Sequence, residues 1–172
     1  MARVAALLRE WAEARCDLPQ DVERWTAVGY LHDALRDADP AELRAALSEP
    51  LDDLPGEVIH GPAVADRLRL GGVRDEPLLT AIAFHTLGSP DFDDLGKALY
   101  VADFLEPGRK LQPKWRARLR GEMPTGLDSV VQAVVGKRIQ FLIKKKRPVP
   151  PETLQLWNVM AKGREWASAS EV

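Results

Sequence analysis

Hydrophobic side chains recur every three or four residues along most of the chain, and no segment shows the alternation that is typical of a half-buried strand. This spacing places them along one face of a helix. It predicts a first amphipathic helix that includes Trp11, and a second that begins at Pro19 and carries Trp25, Val28 and Leu31. The pattern therefore predicts an all-α fold.

Start and stop signals divide the rest of the chain into further helices. Asp39-Pro40 combines an N-cap acid with a proline at the first helical position, and Asp75 and Asp93 are further starting acids. Gly71-Gly72 and Glu106-Pro107-Gly108 end helices. The predicted helices lie at about 39–47, 60–70, 75–85, 93–105, 126–146 and 151–167, with a loop at 49–56, no helix between 109 and 125, and a frayed tail at 168–172.

Composition limits the class of protein. The 172 residues, 45% of them hydrophobic, predict a single domain spanning 1–172. The net charge of −2 argues against nucleic acid as a partner. Charged residues from Arg9 onward interrupt the first apolar run, so we expect neither a signal peptide nor a membrane span. Cys16 is the one cysteine, which fits a cytoplasmic protein.

The three histidines of the chain all lie beside helix-end signals. His32-Asp33 closes the second predicted helix, His60 opens a later one, and His85 ends another. Asp103 follows an apolar stretch, where a buried acid would need a partner. Imidazole and carboxylate suit iron, manganese, cobalt or zinc, and a bridging carboxylate such as Asp33 can hold two ions. Each residue alone also fits an ordinary helix end, but the set predicts a metal site.

Two arginines are candidates for binding phosphate. Arg36 lies one helical turn beyond His32-Asp33, and Arg109 follows the Glu-Pro-Gly stop. The planar guanidinium group matches phosphate oxygens, although either residue also fits a surface position. The basic run 144–147 fits a solvated helix end. The five tryptophans fit core or helix-contact positions better than base-stacking ones, and Cys16 has no catalytic setting.

Several motifs resemble the HD superfamily of metal-dependent phosphohydrolases, and within it the YqeK family of symmetrical bis(5′-nucleosyl)-tetraphosphatases. The resemblance covers nearly the whole chain. The Glu-Pro-Gly-Arg segment and the His-Thr-x-Gly segment separate this family from other members of the superfamily. The matching stretches are Gly-Tyr-Leu-His-Asp at 29–33, Ile-His-Gly-Pro at 59–62, Ala-Ile-Ala-Phe-His-Thr-Leu-Gly at 81–88, Tyr-Val-Ala-Asp-Phe-Leu-Glu-Pro-Gly-Arg at 100–109, and 151–158.

The resemblance implies a helical bundle with two metal ions at its centre, often iron, and symmetrical cleavage of diadenosine tetraphosphate into two ADP. Activated hydroxide would attack an inner phosphorus, with Asp33, Arg36 and Arg109 as catalytic residues. The sequence leaves a homodimer open. The implied metal ligands are His32, Asp33, His60, His85 and Asp103, and the implied substrate-binding residues are Arg36, Thr86, Gly88 and Arg109.

The chain departs from the family pattern at two positions. A further ligand histidine of the family would fall just before Met1, and Arg36 replaces a lysine, which keeps the charge but changes the geometry of a phosphate contact. Two other functions therefore stay open. One is hydrolysis of another nucleotide, such as a nucleoside monophosphate, a deoxynucleotide or guanosine tetraphosphate. The other is nucleotide binding without catalysis.

Overall fold

The computed structural model describes residues 1–15, 17–51 and 54–162, and these form nine α-helices, one 3-10 helix (Gly56–Val58) and no strand. This confirms the predicted all-α fold. The helices are α1 (Ala2–Ala14), α2 (Pro19–Leu31), α3 (Pro40–Ala45), α4 (His60–Leu70), α5 (Glu76–Phe84), α6 (Asp94–Leu105), α7 (Pro113–Gly121), α8 (Leu127–Lys144) and α9 (Pro151–Met160).

Aspartate side chains fix the starts of three helices, as the sequence predicts. The Asp39, Asp75 and Asp93 carboxylates accept hydrogen bonds from backbone N–H groups of the first turns of α3, α5 and α6, at 2.7, 3.1 and 2.9 Å. Each bond satisfies a donor that a helix start leaves unpaired. The acids that open α5 and α6 thereby set where His85 and Asp103 fall, near the far ends of these helices.

The prediction that no helix lies between 109 and 125 is wrong, because α7 occupies Pro113–Gly121. Its sequence is rich in arginine, and Arg116 and Leu119 are its buried residues, so it has no apolar stripe to reveal it. Proline at its start favours the helix. The predicted continuation of α9 to 167 is wrong at its first residues, because α9 ends at Met160 and 161–162 form a turn. The remainder of that prediction, the frayed tail 168–172 and Cys16 lie outside the described residues.

Two close helix crossings shape the centre of the molecule. A Cβ atom at Gly29 of α2 would lie 2.5 Å from the Ala5 Cα of α1, and one at Gly61 of α4 would lie 2.7 Å from the Ala83 carbonyl oxygen of α5. Only glycine permits these approaches. The second crossing brings the start of α4, and with it His60, against the end of α5.

One hydrophobic core joins α1 and α2 to α4, α5, α6, α8 and α9. Its largest fully buried side chains include Trp11, Leu8, Leu79, Leu99 and Leu156. A second, smaller cluster of Leu43, Ile59 and Ala63 packs α3 beneath the start of α4. None of the described helices combines the length and the apolar character that crossing a membrane requires.

Candidate metal centre

Three helix ends converge on one point and carry the three histidines there. His32 follows the last residue of α2, His60 is the first residue of α4, and His85 follows the last residue of α5. Their exposed fractions are 0%, 5% and 2%. The ring centroid of His85 lies 5.0 Å from that of His32 and 5.1 Å from that of His60. The packing of the helices thus builds a buried imidazole cluster.

Backbone carbonyls orient two of these rings. His32 Nδ1 lies 2.9 Å from the Gly29 carbonyl oxygen, and His85 Nδ1 lies 2.8 Å from that of Ile82. A carbonyl can only accept a hydrogen bond, so each Nδ1 carries the proton and each Nε2 keeps its lone pair. This arrangement of the outer ring nitrogen is the usual one for a histidine that binds metal through the other nitrogen.

Asp33 faces the Nε2 atoms of all three histidines. Its Oδ1 lies 3.1 Å from His60 Nε2 and 3.4 Å from His85 Nε2, and its Oδ2 lies 3.6 Å from His32 Nε2. Asp33 Oδ1 and His32 Nε2 are buried and have no aligned hydrogen bond to any described residue. Unpaired buried acceptors are costly, and convergent ones are satisfied by a cation.

The ligand atoms fit a metal ion. One atom each from His32, Asp33 and His85 lies within 4.8 Å of the other two, which brackets a point that all three could contact. His60 Nε2 lies 3.2 Å from His85 Nε2, so it belongs to the same cluster. A neutral imidazole pair at this distance has one donor at most, whereas a shared cation satisfies both nitrogens.

The charge states of the cluster favour metal binding. Burial and the neighbouring His85 lower the pKa of His32 to about 4, so its ring is neutral near pH 7. Burial acts to raise the pKa of Asp33, but the adjacent His60, His85 and His32 outweigh it and hold the pKa far below its usual range. A neutral imidazole and an ionised carboxylate are the forms that bind metal.

A cavity of about 230 Å³ opens beside the cluster. Arg36 and Arg109, the two predicted phosphate-binding residues, both line it together with Asp103. Asp103 has a side chain that is 22% exposed, and its partner is Arg109, whose Nη2 donates to Oδ1 at 2.7 Å. Arg36 Nη1 donates to Asp33 Oδ2 at 3.0 Å. Each arginine therefore forms an ion pair with one of the two predicted carboxylate ligands.

The turn after α5 carries the other two predicted substrate-binding residues. The Thr86 Oγ1 lies 3.0 Å from His85 Nε2, so Thr86 lies against the cluster. The Gly88 N–H already donates to the Phe84 carbonyl at 2.7 Å, so it closes the turn and is not free for a ligand. Helix α9 holds this turn, because Thr153 Oγ1 donates to the Leu87 carbonyl at 2.6 Å.

Glu106 is the main residue of the cavity to which the sequence assigns no role. It is 8% exposed, and its Oε2 accepts from Arg3 Nε at 2.5 Å and from Gly108 N at 2.7 Å. Burial raises its pKa, but these two bonds lower it below the usual range. Its place in the Glu-Pro-Gly-Arg segment was the only available signal. Met1, Arg3 and Val4 of the first helix region line the same cavity.

A larger groove of about 820 Å³ lies elsewhere, and none of the candidate metal or phosphate residues lines it. Its walls come from the 47–54 region, α4 and α5, with Leu47, Leu54 and Phe84 among them. Cavity size therefore does not locate the chemistry in this molecule. The candidate site is identified instead by its clustered, buried ligand atoms.

Comparison with known proteins agrees with this geometry. The HD domain family matches residues 1–108. The symmetrical bis(5′-nucleosyl)-tetraphosphatase of Halalkalibacterium halodurans is 31% identical over 144 residues, which is 80% of this chain and 76% of that protein. The protein of the same name from Bacillus subtilis is 37% identical over 114 residues, or 66% of this chain and 60% of that protein.

A crystal structure from Clostridium acetobutylicum shares the fold. That protein, described as a predicted HD superfamily hydrolase involved in NAD metabolism, superposes with a TM-score of 0.80 at 23% identity, over 95% of this chain and 87% of that one. The family match, the relatives and the buried histidine–aspartate cluster lead to one conclusion. This chain belongs to the HD-domain hydrolases, and within them to the family of the symmetrical bis(5′-nucleosyl)-tetraphosphatases.

Proposed function

We propose that this protein hydrolyses diadenosine tetraphosphate symmetrically into two ADP. One observation carries the proposal: a buried cluster of metal-ligand atoms opens directly on a cavity that holds Arg36 and Arg109. Metal ligands beside guanidinium groups are the combination that phosphate-ester hydrolysis needs. The substrate itself is proposed from the names of the relatives.

The proposed metal ligands are His32, Asp33, His60, His85 and Asp103, which would hold two ions, with iron as the proposed metal. Support comes from the lone pairs on the Nε2 atoms of His32 and His85 and from the unpaired Asp33 Oδ1. Asp103 is supported by its position on the same cavity. Bound ions would supply Lewis acidity toward phosphate oxygens and toward water.

The two arginines are proposed to bind the polyphosphate chain. Arg36 and Arg109 now donate to Asp33 and Asp103, which holds their guanidinium groups at the cavity in advance of substrate. Preorganised donors stabilise the charge that develops on phosphate oxygens without reorganisation during the reaction. The Thr86 hydroxyl is a third proposed donor, while Gly88 contributes through the turn that it closes.

We propose that the catalytic domain comprises the whole chain, 1–172, and not only the segment that the HD family matches. Support comes from the core, to which α8 and α9 contribute Val130, Val134 and Leu156. The α9 residue Thr153 also holds the turn beside His85. Removal of α9 would therefore expose core surface and release this turn.

Product analysis tests the proposed function. Protein made from Met1, and protein with a histidine placed before it, would be incubated with diadenosine tetraphosphate and iron, manganese or cobalt. We expect ADP as the sole product. AMP together with ATP would mean asymmetric cleavage, and absence of turnover in both forms would point to another phosphate ester or to binding alone; each result would overturn the proposal.

Asp33→Ala tests the assignment of the site. We expect it to abolish turnover and metal retention together, because it removes the carboxylate that faces all three histidines. Asp128→Asn is the matched control, since this acid is exposed and pairs with Lys97 at the start of α8. Turnover that survives in Asp33→Ala would rule out its proposed role.

A further inference from the structure

An open pocket of about 570 Å³ lies at the start of α7, next to the segment that carries Arg109. Trp115 forms its aromatic wall, and the remaining lining residues are Gln112, Pro113, Lys114 and Lys137. The Trp115 side chain is partly exposed, unlike the buried Trp11 and Trp25. Packing, the predicted role of the tryptophans, accounts for the buried part of the Trp115 ring. It does not account for the part that faces the pocket.

The indole is held in place from within. Phe104 packs against it edge-to-face, with ring centroids 6.1 Å apart. The Arg116 guanidinium lies 4.3 Å from the centroid of Phe104, and its Nε donates to the Leu111 carbonyl at 2.7 Å. These contacts fix the ring at the surface, so a ligand that stacks on it would meet a preformed wall.

The pocket wall is mainly apolar, and two lysines, Lys114 and Lys137, lie at it. Lys137 Nζ lies 5.9 Å from the Trp115 ring centroid, near the outer limit of a cation–π contact. Neither Lys114 nor Lys137 forms an ion pair with an acid in the described part of the chain. Lysines that lack acidic partners around an aromatic face match a ligand that combines a flat ring with negative charge.

The pocket lies close to the cavity that holds Arg36 and Arg109, although the two share no lining residue. Arg109 lines the cavity, and Gln112, three residues later, lines the pocket. Phe104, which supports Trp115, directly follows Asp103 of the cavity. Burial and the charge of Arg109 lower the pKa of Arg116, in agreement with the close spacing of the two regions.

We infer that Trp115, with Lys114 and Lys137, forms a subsite for one nucleoside of a dinucleoside polyphosphate, with the base stacked on the indole. This inference rests on the proposed function. A polyphosphate held by Arg36 and Arg109 would extend beyond the histidine cluster and end in a nucleoside on each side. Arg109 is close enough to Arg116, the neighbour of Trp115, to lower its pKa, so the nucleoside on the Arg109 side would have this pocket nearby. The lysines would face the phosphates nearest that nucleoside.

Two fluorescence titrations test the subsite without turnover. ADP carries the base, while pyrophosphate has the same two phosphates and no base. We expect ADP to quench tryptophan emission of the wild type, pyrophosphate to do so far less, and Trp115→Phe to lose most of the ADP response. Trp157→Phe is the matched control, because Trp157 is also partly exposed but packs against Gly136 of α8.

Kinetics provide the second test. Trp115→Ala should raise KM for diadenosine tetraphosphate roughly tenfold, as expected for loss of one stacked base, and leave kcat within about twofold. Trp115→Phe keeps a stacking face, so its KM should lie near that of the wild type. If Trp115→Ala does not fold, the fluorescence titration of Trp115→Phe still tests the subsite. An ADP response that survives in Trp115→Phe, or an unchanged KM in a folded Trp115→Ala, would overturn the subsite while leaving the proposed function intact. A wild type that binds ADP but does not cleave the substrate would instead overturn the function alone.

Discussion

His32 shows how a single buried side chain is prepared for the metal-binding role proposed for it. Its Nδ1 donates to the Gly29 carbonyl, so the ring is fixed in one tautomer, and its Nε2 points toward Asp33 without a hydrogen bond. Complete burial disfavours the charged ring. The same features that prepare the nitrogen for a metal therefore make the metal-free protein sensitive to acid.

That sensitivity can be measured in the metal-free protein. The pKa of His32 is 6.5 when unfolded and about 4 when folded, so the unfolded chain binds the extra proton between these values. The neutral His32 ring therefore lowers stability little above about pH 6.5. Below that pH, the free energy of unfolding falls as the pH drops toward 4. From pH 7 to pH 5 we expect the free energy of unfolding to fall by about 2 kcal/mol more in the wild type than in His32→Gln.

Urea unfolding in the presence of a chelator provides this measurement. Asp33 does not confuse the comparison, because its lowered pKa affects stability at more acidic pH, near and below the unfolded value of 3.8. If the free energy of unfolding falls equally between pH 7 and pH 5 in the wild type and in His32→Gln, the buried ring does not titrate as described.

Arg109 shows what a guanidinium group provides at the cavity. It donates to Asp103 at 2.7 Å while its Nε lies 3.6 Å from Glu106, a spacing that one planar group spans. Arg109→Lys keeps the charge but loses the fork, and we expect kcat/KM for the nucleotide to fall about tenfold, which corresponds to roughly 1.4 kcal/mol. Arg118→Lys on α7, where the exposed arginine pairs with exposed Glu122, should match the wild type in steady-state assays.

At the scale of elements, the candidate site is built from residues at the ends of helices. The C-termini of α2 and α5 and the N-terminus of α4 supply the histidines, and the segment after α6 supplies Arg109. One backbone turn bond, from the Arg109 N–H to the Glu106 carbonyl at 3.1 Å, shapes this segment, but it does not attach the segment to another helix. Glu106 does so instead, because it joins Arg3 of α1 to the Gly108 N–H and thus ties the segment to the first helix.

Glu106→Gln tests whether this link positions Arg109. The amide can still accept from Gly108, but it loses the charge that pairs with Arg3, so the segment should loosen. We expect KM for the nucleotide to rise severalfold while bound metal, measured by elemental analysis, stays unchanged. Glu13→Gln, which breaks an exposed pair with Arg9, should change neither quantity. Loss of metal together with activity would place Glu106 in the metal site instead.

At the scale of the molecule, the sequence predicts helices well where they begin with a distinct residue and poorly where they lack an apolar stripe. Asp39, Asp75 and Asp93 each cap the helix that they predict, whereas α7 has a proline at its start but no capping acid. The metal cluster could be predicted because histidine is rare here and each copy lies beside a helix end. The link between Arg3 and Glu106 could not, because it joins residues 103 positions apart and depends on how α1 packs.

Metal binding should stabilise the whole fold, because the ligand atoms come from α2, α4 and α5, which also share the hydrophobic core. An ion that binds only the folded chain adds about 4 kcal/mol at a thousandfold excess over its dissociation constant. We therefore expect added manganese to raise the melting temperature of chelator-treated protein by about 10 °C, measured by circular dichroism. His85→Ala removes one of the convergent ligands and should lose most of this shift, while Asp128→Asn should keep it. An equal shift in His85→Ala would mean that the ion stabilises the protein from another place, and the buried cluster would then have to be explained without a metal.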